Sequence, residues 1–231
     1  MERRDTSRMP AERAMWYRED DDLERDLRFI HDEFEAGLRL VASIDRPAAA
    51  IFGSARIGED HPWYAASRAL GAGFAREGWA VITGGGPGLM EAANRGAQDE
   101  GGLSIGLGIK LPREEGMNRY LDVSYDFKHF YARKVCFVKA SEGFIACPGG
   151  WGTNDELYEA LVLIQTGKVH HFPVVLFGDG HWRWFVEWSG RMVDEGMIDA
   201  SDLDIVTLTD DPAEAIATVL ACYRHECGHV A

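Results

Sequence analysis

The chain has 231 residues, 46% of them apolar, and a formal net charge of −14. That length is enough for one α/β domain with a full core and an added terminal element. The acidic balance excludes a polyanion binder, because nucleic-acid affinity depends mainly on neutralising phosphates, but it leaves room for a small anion in a local positive pocket. Four cysteines in a chain this long do not suggest a disulfide framework. No stretch reaches the ~18–20 apolar residues of a membrane span, and the charged start has no signal-peptide core. A soluble, cytoplasmic protein is the expectation.

Residues 1 to about 20 are polar and read as a tail. A helix starts near Asp20-Asp21-Asp22, where the helix dipole favours anions. Leu23, Leu27, Ile30, Phe34, Leu38 and Val41 then give it an apolar stripe at spacings of three and four. After Arg46-Pro47, Ala48–Phe52 is a buried strand that runs into the turn Gly53-Ser54-Ala55-Arg56. Pro62–Glu77 is helical and Gly78 ends it. Trp79–Thr83 is a strand, Gly84–Gly88 a glycine loop and Leu89–Gln98 a helix.

Leu103–Ile109 is the third strand, followed by a polar loop over Lys110–Arg119 and a short, irregular strand over Leu121–Phe127. Lys128–Ala140 is helical. Gly143–Cys147 is an apolar strand, and a helix runs from the following glycine loop to Thr166. Pro173–Phe177 is a strand, Trp182, Phe185, Val186, Met192 and Val193 mark a helix, and Ile205–Leu208 and Pro212–Tyr223 are a last strand and helix. Strand and helix alternate without a repeat or long linker. The expected fold is α/β: a Rossmann-like, doubly wound, mostly parallel sheet of about seven strands, with helices on both faces and an extra N-terminal helix. Residues 1–46 form the tail and added helix, and 47–231 the domain.

Ligands of such folds bind at the carboxyl edge of the sheet, where the glycine loops after strands one, two and five converge. The loop Cys147-Pro148-Gly149-Gly150-Trp151-Gly152-Thr153-Asn154-Asp155-Glu156 stands between a strand and a helix. Its glycines and the unpaired N–H groups of the helix start form a seat for a phosphate, with Glu156 on the first turn. Two familiar phosphate loops are absent. Gly53 and Gly58 have Walker spacing, but Glu59-Asp60 follow where Lys and Ser/Thr belong. No strand is followed by GxGxxG.

Pro148-Gly149-Gly150-Trp151-Gly152-Thr153-Asn154-Asp155-Glu156 resembles PGGxGTxxE, the signature of the LOG ("Lonely guy") family of lysine-decarboxylase-like Rossmann proteins. Gly84–Ala97 is similar to that family's second signature, and Arg133-Lys134 precedes the main loop at the family's spacing. The resemblance covers residues 47 to 210 or so and implies hydrolysis of the N-glycosidic bond of a nucleoside 5′-monophosphate, AMP or an N6-modified AMP such as a cytokinin riboside monophosphate. The products are free base and ribose 5-phosphate. It implies no cofactor and no metal, and a homodimer or larger homo-oligomer. Glu156 and Arg133 are the catalytic residues it points to. Gly149, Gly150, Gly152 and Thr153 would hold the 5′-phosphate, Gly53, Ser54, Gly85, Gly86 and Met90 would line the ribose and base side, and Lys134 would add positive charge.

Other features carry weaker readings. Glu91 is read as a capping carboxylate, and Asn118 and Arg119 as lid or partner contacts. Trp182, Trp184 and Trp188 are assigned to core and interface packing. The terminal Cys222, His225, Cys227 and His229 match no strong zinc pattern. A nucleotide or molybdenum-cofactor carrier of the same superfamily is the alternative, and an interaction protein using the acidic N-terminal helix is a third reading. No nucleic-acid or membrane partner is expected, and the sequence does not name the base.

Overall fold

The computed structural model describes residues 23–111, 116–170 and 172–224. The expected polar tail and the terminal residues from His225 on lie outside them. In chain order the elements are α1 (Leu23–Ala42), β1 (Ala48–Phe52), α2 (Pro62–Arg76), β2 (Ala80–Thr83), α3 (Leu89–Asp99), β3 (Ser104–Ile109), β4 (Val123–Phe127), α4 (Phe130–Ala140), β5 (Phe144–Ala146), α5 (Trp151–Gln165), β6 (Val174–Phe177), α6 (Asp179–Asp194), β7 (Val206–Thr209) and α7 (Pro212–Tyr223). A 3₁₀ segment over Ala200–Ile205, absent from the sequence reading, precedes β7 and is closed by a capping box between Asp199 and Asp202.

Seven strands form one sheet in the order β4-β3-β2-β1-β5-β6-β7. Every pairing is parallel, so the sheet is more uniform than expected. β4 is a regular edge strand, in register with β3 from Ile105↔Val123 to Ile109↔Phe127. It reads as irregular in sequence because an edge strand exposes much of its surface, here Val123, Ser124 and Asp126.

The period-two alternation of the strands sorts the core into two layers. Ala48, Ala50 and Phe52 face Phe137, Leu157, Trp182 and the inner side of α1, while Ala49 and Ile51 face Leu70, Phe74, Leu89 and Val219 on α2, α3 and α7. α2 and α3 touch through backbone. A Cβ on Gly71 would lie 2.0 Å from the Ala93 carbonyl oxygen, and one on Gly96 would lie 2.0 Å from that of Arg68. On α1 the stripe is covered only in its later part: Phe34, Leu38 and Val41 pack on the core, whereas Leu23 and Leu27 stay exposed. Among the described residues no helix is long and apolar enough to cross a membrane.

The chain leaves β1 toward β2 on one side and returns to β5 on the other. The loops after β1 and β5 therefore diverge and open a crevice at the carboxyl edge, the place where such sheets receive ligands.

Candidate active site

Three glycine loops meet at that crevice, and Ser54 ties them together. Its N–H donates to the Pro148 carbonyl at 3.0 Å, and its own carbonyl accepts from Leu89 N at 3.0 Å. Its hydroxyl accepts from Arg56 N at 3.1 Å, which closes the turn after β1. Gly88 makes this approach possible. It has φ +71°, and a Cβ there would stand 2.4 Å from the Ser54 carbonyl oxygen.

α5 is preceded by Gly150 as its N-cap, without a side-chain cap and with no acidic residue in its first turn; Glu156, expected on that turn, lies on the second, because the helix begins at Trp151. Its first N–H groups and the positive end of its dipole are thus left for a ligand. Gly150, Gly152 and Thr153 line a cavity of ≈ 530 Å³, together with Gly53 and Ser54. A Cβ at Gly150 or Gly152 would meet nothing within 4 Å, so the space beside both is open. Gly149 differs from the expectation and is not among the lining residues. Its N–H donates to His181 Nε2 at 3.4 Å, and a Cβ there would lie 2.1 Å from Thr153 Oγ1. Its smallness seats Thr153, and its amide is already engaged. Burial lowers the His181 pKa and favours the neutral ring that can accept this bond.

Glu156 and Arg133 share one wall of the cavity. Both are buried, and Arg133 Nη2 donates to Glu156 Oε1 at 2.9 Å. The guanidinium lies between two rings, 5.3 Å from the centroid of Phe130 and 5.6 Å from that of Phe137. Arg133 Nε is itself buried and has no hydrogen-bond partner among the described residues. Burial pushes the Glu156 carboxyl above the usual carboxylate range, and the charges of Arg133 and Lys134 oppose that shift without cancelling it. The result is a carboxylate held at low dielectric beside a helix start.

Lys134 is the clearest departure from the expected site. It does not line the cavity. Adjacent helical residues point about 100° apart, so with Arg133 turned inward Lys134 lies along the flank of α5. There its Nζ pairs with Asp155 Oδ1 at 2.8 Å and Glu159 Oε2 at 3.4 Å. It reaches the site only through its charge on Glu156.

Met90 borders the main cavity and a neighbouring one of ≈ 210 Å³, which is lined also by Gly85 and Gly86. Gly85 (φ +71°) is held from behind by Asn118, whose N–H and Nδ2 donate to its carbonyl at 2.7 and 3.1 Å. Asn118 also donates to Asn94 Oδ1, which accepts from Thr83 as well. Asn118 is therefore a clasp on the glycine loop within the chain. Glu91 accepts from the Tyr64 hydroxyl at 3.1 Å and lines neither cavity.

Sequence reasoning missed the aromatic walls Phe52, Phe130 and Phe137. Nothing local marks them, because a phenylalanine on an apolar stripe reads as core. It also left Trp151 undecided; this residue is 93% exposed beside the site. With Phe130, Tyr158 and Trp184 it borders an open, mostly apolar hollow of ≈ 980 Å³. Trp182 is core, with its indole N–H donating to the Ala146 carbonyl at 2.9 Å. Among the described residues no group of three or more His, Cys, Asp or Glu side chains is placed to hold a metal ion.

A parallel sheet, an uncapped helix start at its switch point and a buried Arg–Glu pair define a Rossmann-like α/β protein with a site suited to a small anion. The family model described as "Possible lysine decarboxylase" matches residues 90–219, more than half of the chain. The chain belongs to this lysine-decarboxylase-like, or LOG, family. It is 31% identical over 170 residues to the probable cytokinin riboside 5′-monophosphate phosphoribohydrolase LOG4 of Oryza sativa, covering 72% of this chain and 73% of that one. It is 32% identical to the corresponding LOG3 enzyme of Arabidopsis thaliana, covering 59% and 64%. Among solved structures, the Moco carrier protein of Chlamydomonas reinhardtii superposes with a TM-score of 0.56 at 26% identity, covering 78% of this chain and 99% of that one.

Proposed function

We propose that the protein is a phosphoribohydrolase that cleaves the N-glycosidic bond of a nucleoside 5′-monophosphate, AMP or an N6-modified AMP. The observation that carries this reading is the Arg133–Glu156 pair on the wall of the cavity that α5 opens with its uncapped N-terminus. In this reading the N–H groups around Gly150, Gly152 and Thr153 hold the 5′-phosphate, which brings the ribose against Glu156 on the next turn of the same helix. The C1′–N bond breaks, positive charge grows on the ribose, and the ionised carboxylate stabilises it. Water supplies the oxygen that bonds to C1′. One of its protons passes to Glu156 and on to the departing base, which leaves neutral. Arg133 keeps its proton throughout. Its charge opposes the effect of burial on the Glu156 carboxyl.

Incubation of the purified protein with AMP, N6-isopentenyl-AMP, GMP, CMP and UMP, followed by chromatography for free base, tests the proposal. Base and ribose 5-phosphate in equal amounts are expected from at least AMP or its N6 derivative; no base from any of them refutes it. The competing reading is a carrier of a nucleotide or molybdenum cofactor, favoured by the likeness to the Chlamydomonas protein. Binding without turnover would select it. Glu156 on the second turn of α5, at the cavity wall, supports hydrolysis, since a carrier needs no carboxylate there. The reading includes a homodimer packed through the exposed aromatics Trp151, Tyr158 and Trp184, which sedimentation would reveal.

A further inference from the structure

Helix α1 has no part in the proposed chemistry, yet it carries a buried carboxylate. Glu33 is 8% exposed. A buried carboxylate is costly unless it is paired, and Glu33 finds partners at the start of α4. One oxygen accepts from the backbone N–H of Lys128 and the other meets Nδ1 of His129. His129 is the N-cap residue of α4, and its own side chain makes no capping bond. Glu33 thus ties down the residue before the helix and the side chain of its N-cap residue, from another helix almost a hundred residues earlier in the chain. A negative charge there also suits the helix dipole.

The surrounding packing is close. A Cβ on Gly37 would lie 2.6 Å from Cys136 Sγ on α4 and 2.8 Å from the Phe127 ring on β4, so α1 lies directly on both elements. Phe34 of α1 stacks on Tyr131 at 6.3 Å, and His129 stacks on the same Tyr131 ring at 5.1 Å. Lys128 Nζ sits 5.0 Å from the Phe29 ring. Tyr125 and Tyr131 both have raised pKa values, by burial first and by the nearby Glu33 charge second. One turn beyond this junction comes Arg133, whose N–H reaches back to the His129 carbonyl.

We propose that α1 is an intramolecular strap that sets the first turn of α4, and that Glu33 is a positioning residue for Arg133. The role of Glu33 in turnover rests on the function proposed above; the strap itself does not. Glutamine at position 33 has the same reach. Its oxygen can accept from Lys128 N–H and its amide can donate to Nδ1 of neutral His129, whereas alanine removes both bonds.

The test compares Glu33→Ala and Glu33→Gln by hydrogen exchange over residues 128–134, by melting, and by kcat/KM for AMP. Glu33→Ala should speed exchange over that turn, weaken AMP binding and lower kcat/KM by roughly tenfold, the scale of a lost charge-assisted hydrogen bond. Glu33→Gln should stay within about twofold of wild type in both. In an Arg133→Ala background, Glu33→Ala should no longer weaken AMP binding, because the residue it positions is gone. Unchanged exchange in Glu33→Ala overturns the strap. Equal losses in the two variants, a lower melting temperature with wild-type kcat/KM, or an undiminished loss without Arg133 overturns the positioning role. Should wild type release no base from any nucleotide, the functional reading fails, and exchange over 128–134 still decides the strap.

Discussion

Glu156→Gln separates chemistry from binding most cleanly. Glutamine keeps the side-chain volume, and its oxygen can still accept from Arg133 Nη2 at the 2.9 Å now observed. What disappears is a negative charge in a buried position, where electrostatic interactions with developing positive charge are strongest. Removing such a group lowers turnover by about 10²–10⁴-fold, or ~3–5 kcal/mol of transition-state stabilisation. AMP affinity should move only a few-fold, because the phosphate seat is untouched. Stability gives a second readout of the same charge. The Glu156 carboxyl titrates above its ordinary 4.5 in the fold, with burial as the largest cause. Its favourable contribution to stability is therefore complete below 4.5 and is lost as pH rises through the folded value, so toward neutral pH the buried carboxyl weighs against the fold. The variant should melt no lower than wild type at pH 7, and any advantage should shrink toward pH 4. Base release by chromatography, AMP binding by calorimetry and melting curves at both pH values suffice. Turnover within tenfold of wild type would refute the assigned role; a large drop in melting temperature at pH 7 would refute the account of the buried charge.

Three further outcomes are expected. Arg133→Ala removes a charge that lowers the Glu156 pKa, so the acid limb of kcat/KM should move to higher pH; a pH–rate profile with an unmoved limb would show that Arg133 does not hold the carboxylate ionised. Gly149→Ala drives a Cβ to 2.1 Å from Thr153 Oγ1, so about 1–3 kcal/mol of overpacking should displace Thr153 and weaken AMP binding, read by titration calorimetry. Asn118→Ala leaves the Gly85 and Gly86 carbonyls without its amide and should cost about 1–3 kcal/mol, a fall of several degrees in melting temperature with base release retained at 25 °C.

The order of elements was legible because it follows from local patterns. Apolar runs such as Ala48–Phe52, three-and-four spacings such as Leu70 and Phe74, and glycines at turns all act within a few residues. The convergence of three glycine loops also followed, since alternating strands and helices bring those loops to one edge. Ser54 as the knot of that edge was not legible. It works through backbone bonds to Pro148 and Leu89, which look alike for any residue in sequence.

The sequence by itself determined that this chain is a parallel α/β protein of the LOG family, and it marked Arg133 and Glu156 as neighbours in a site. Only the tertiary structure decided what each side chain faces. It turned Arg133 to the cavity and Lys134 away from it, engaged the Gly149 amide with His181, made Asn118 a clasp, and placed Glu33 at the start of α4. The physical reason is the same in each case. Periodicity is a short-range property of the chain, whereas a buried charge or amide is satisfied by whatever the fold brings within 3 Å, and that partner is often dozens of residues away.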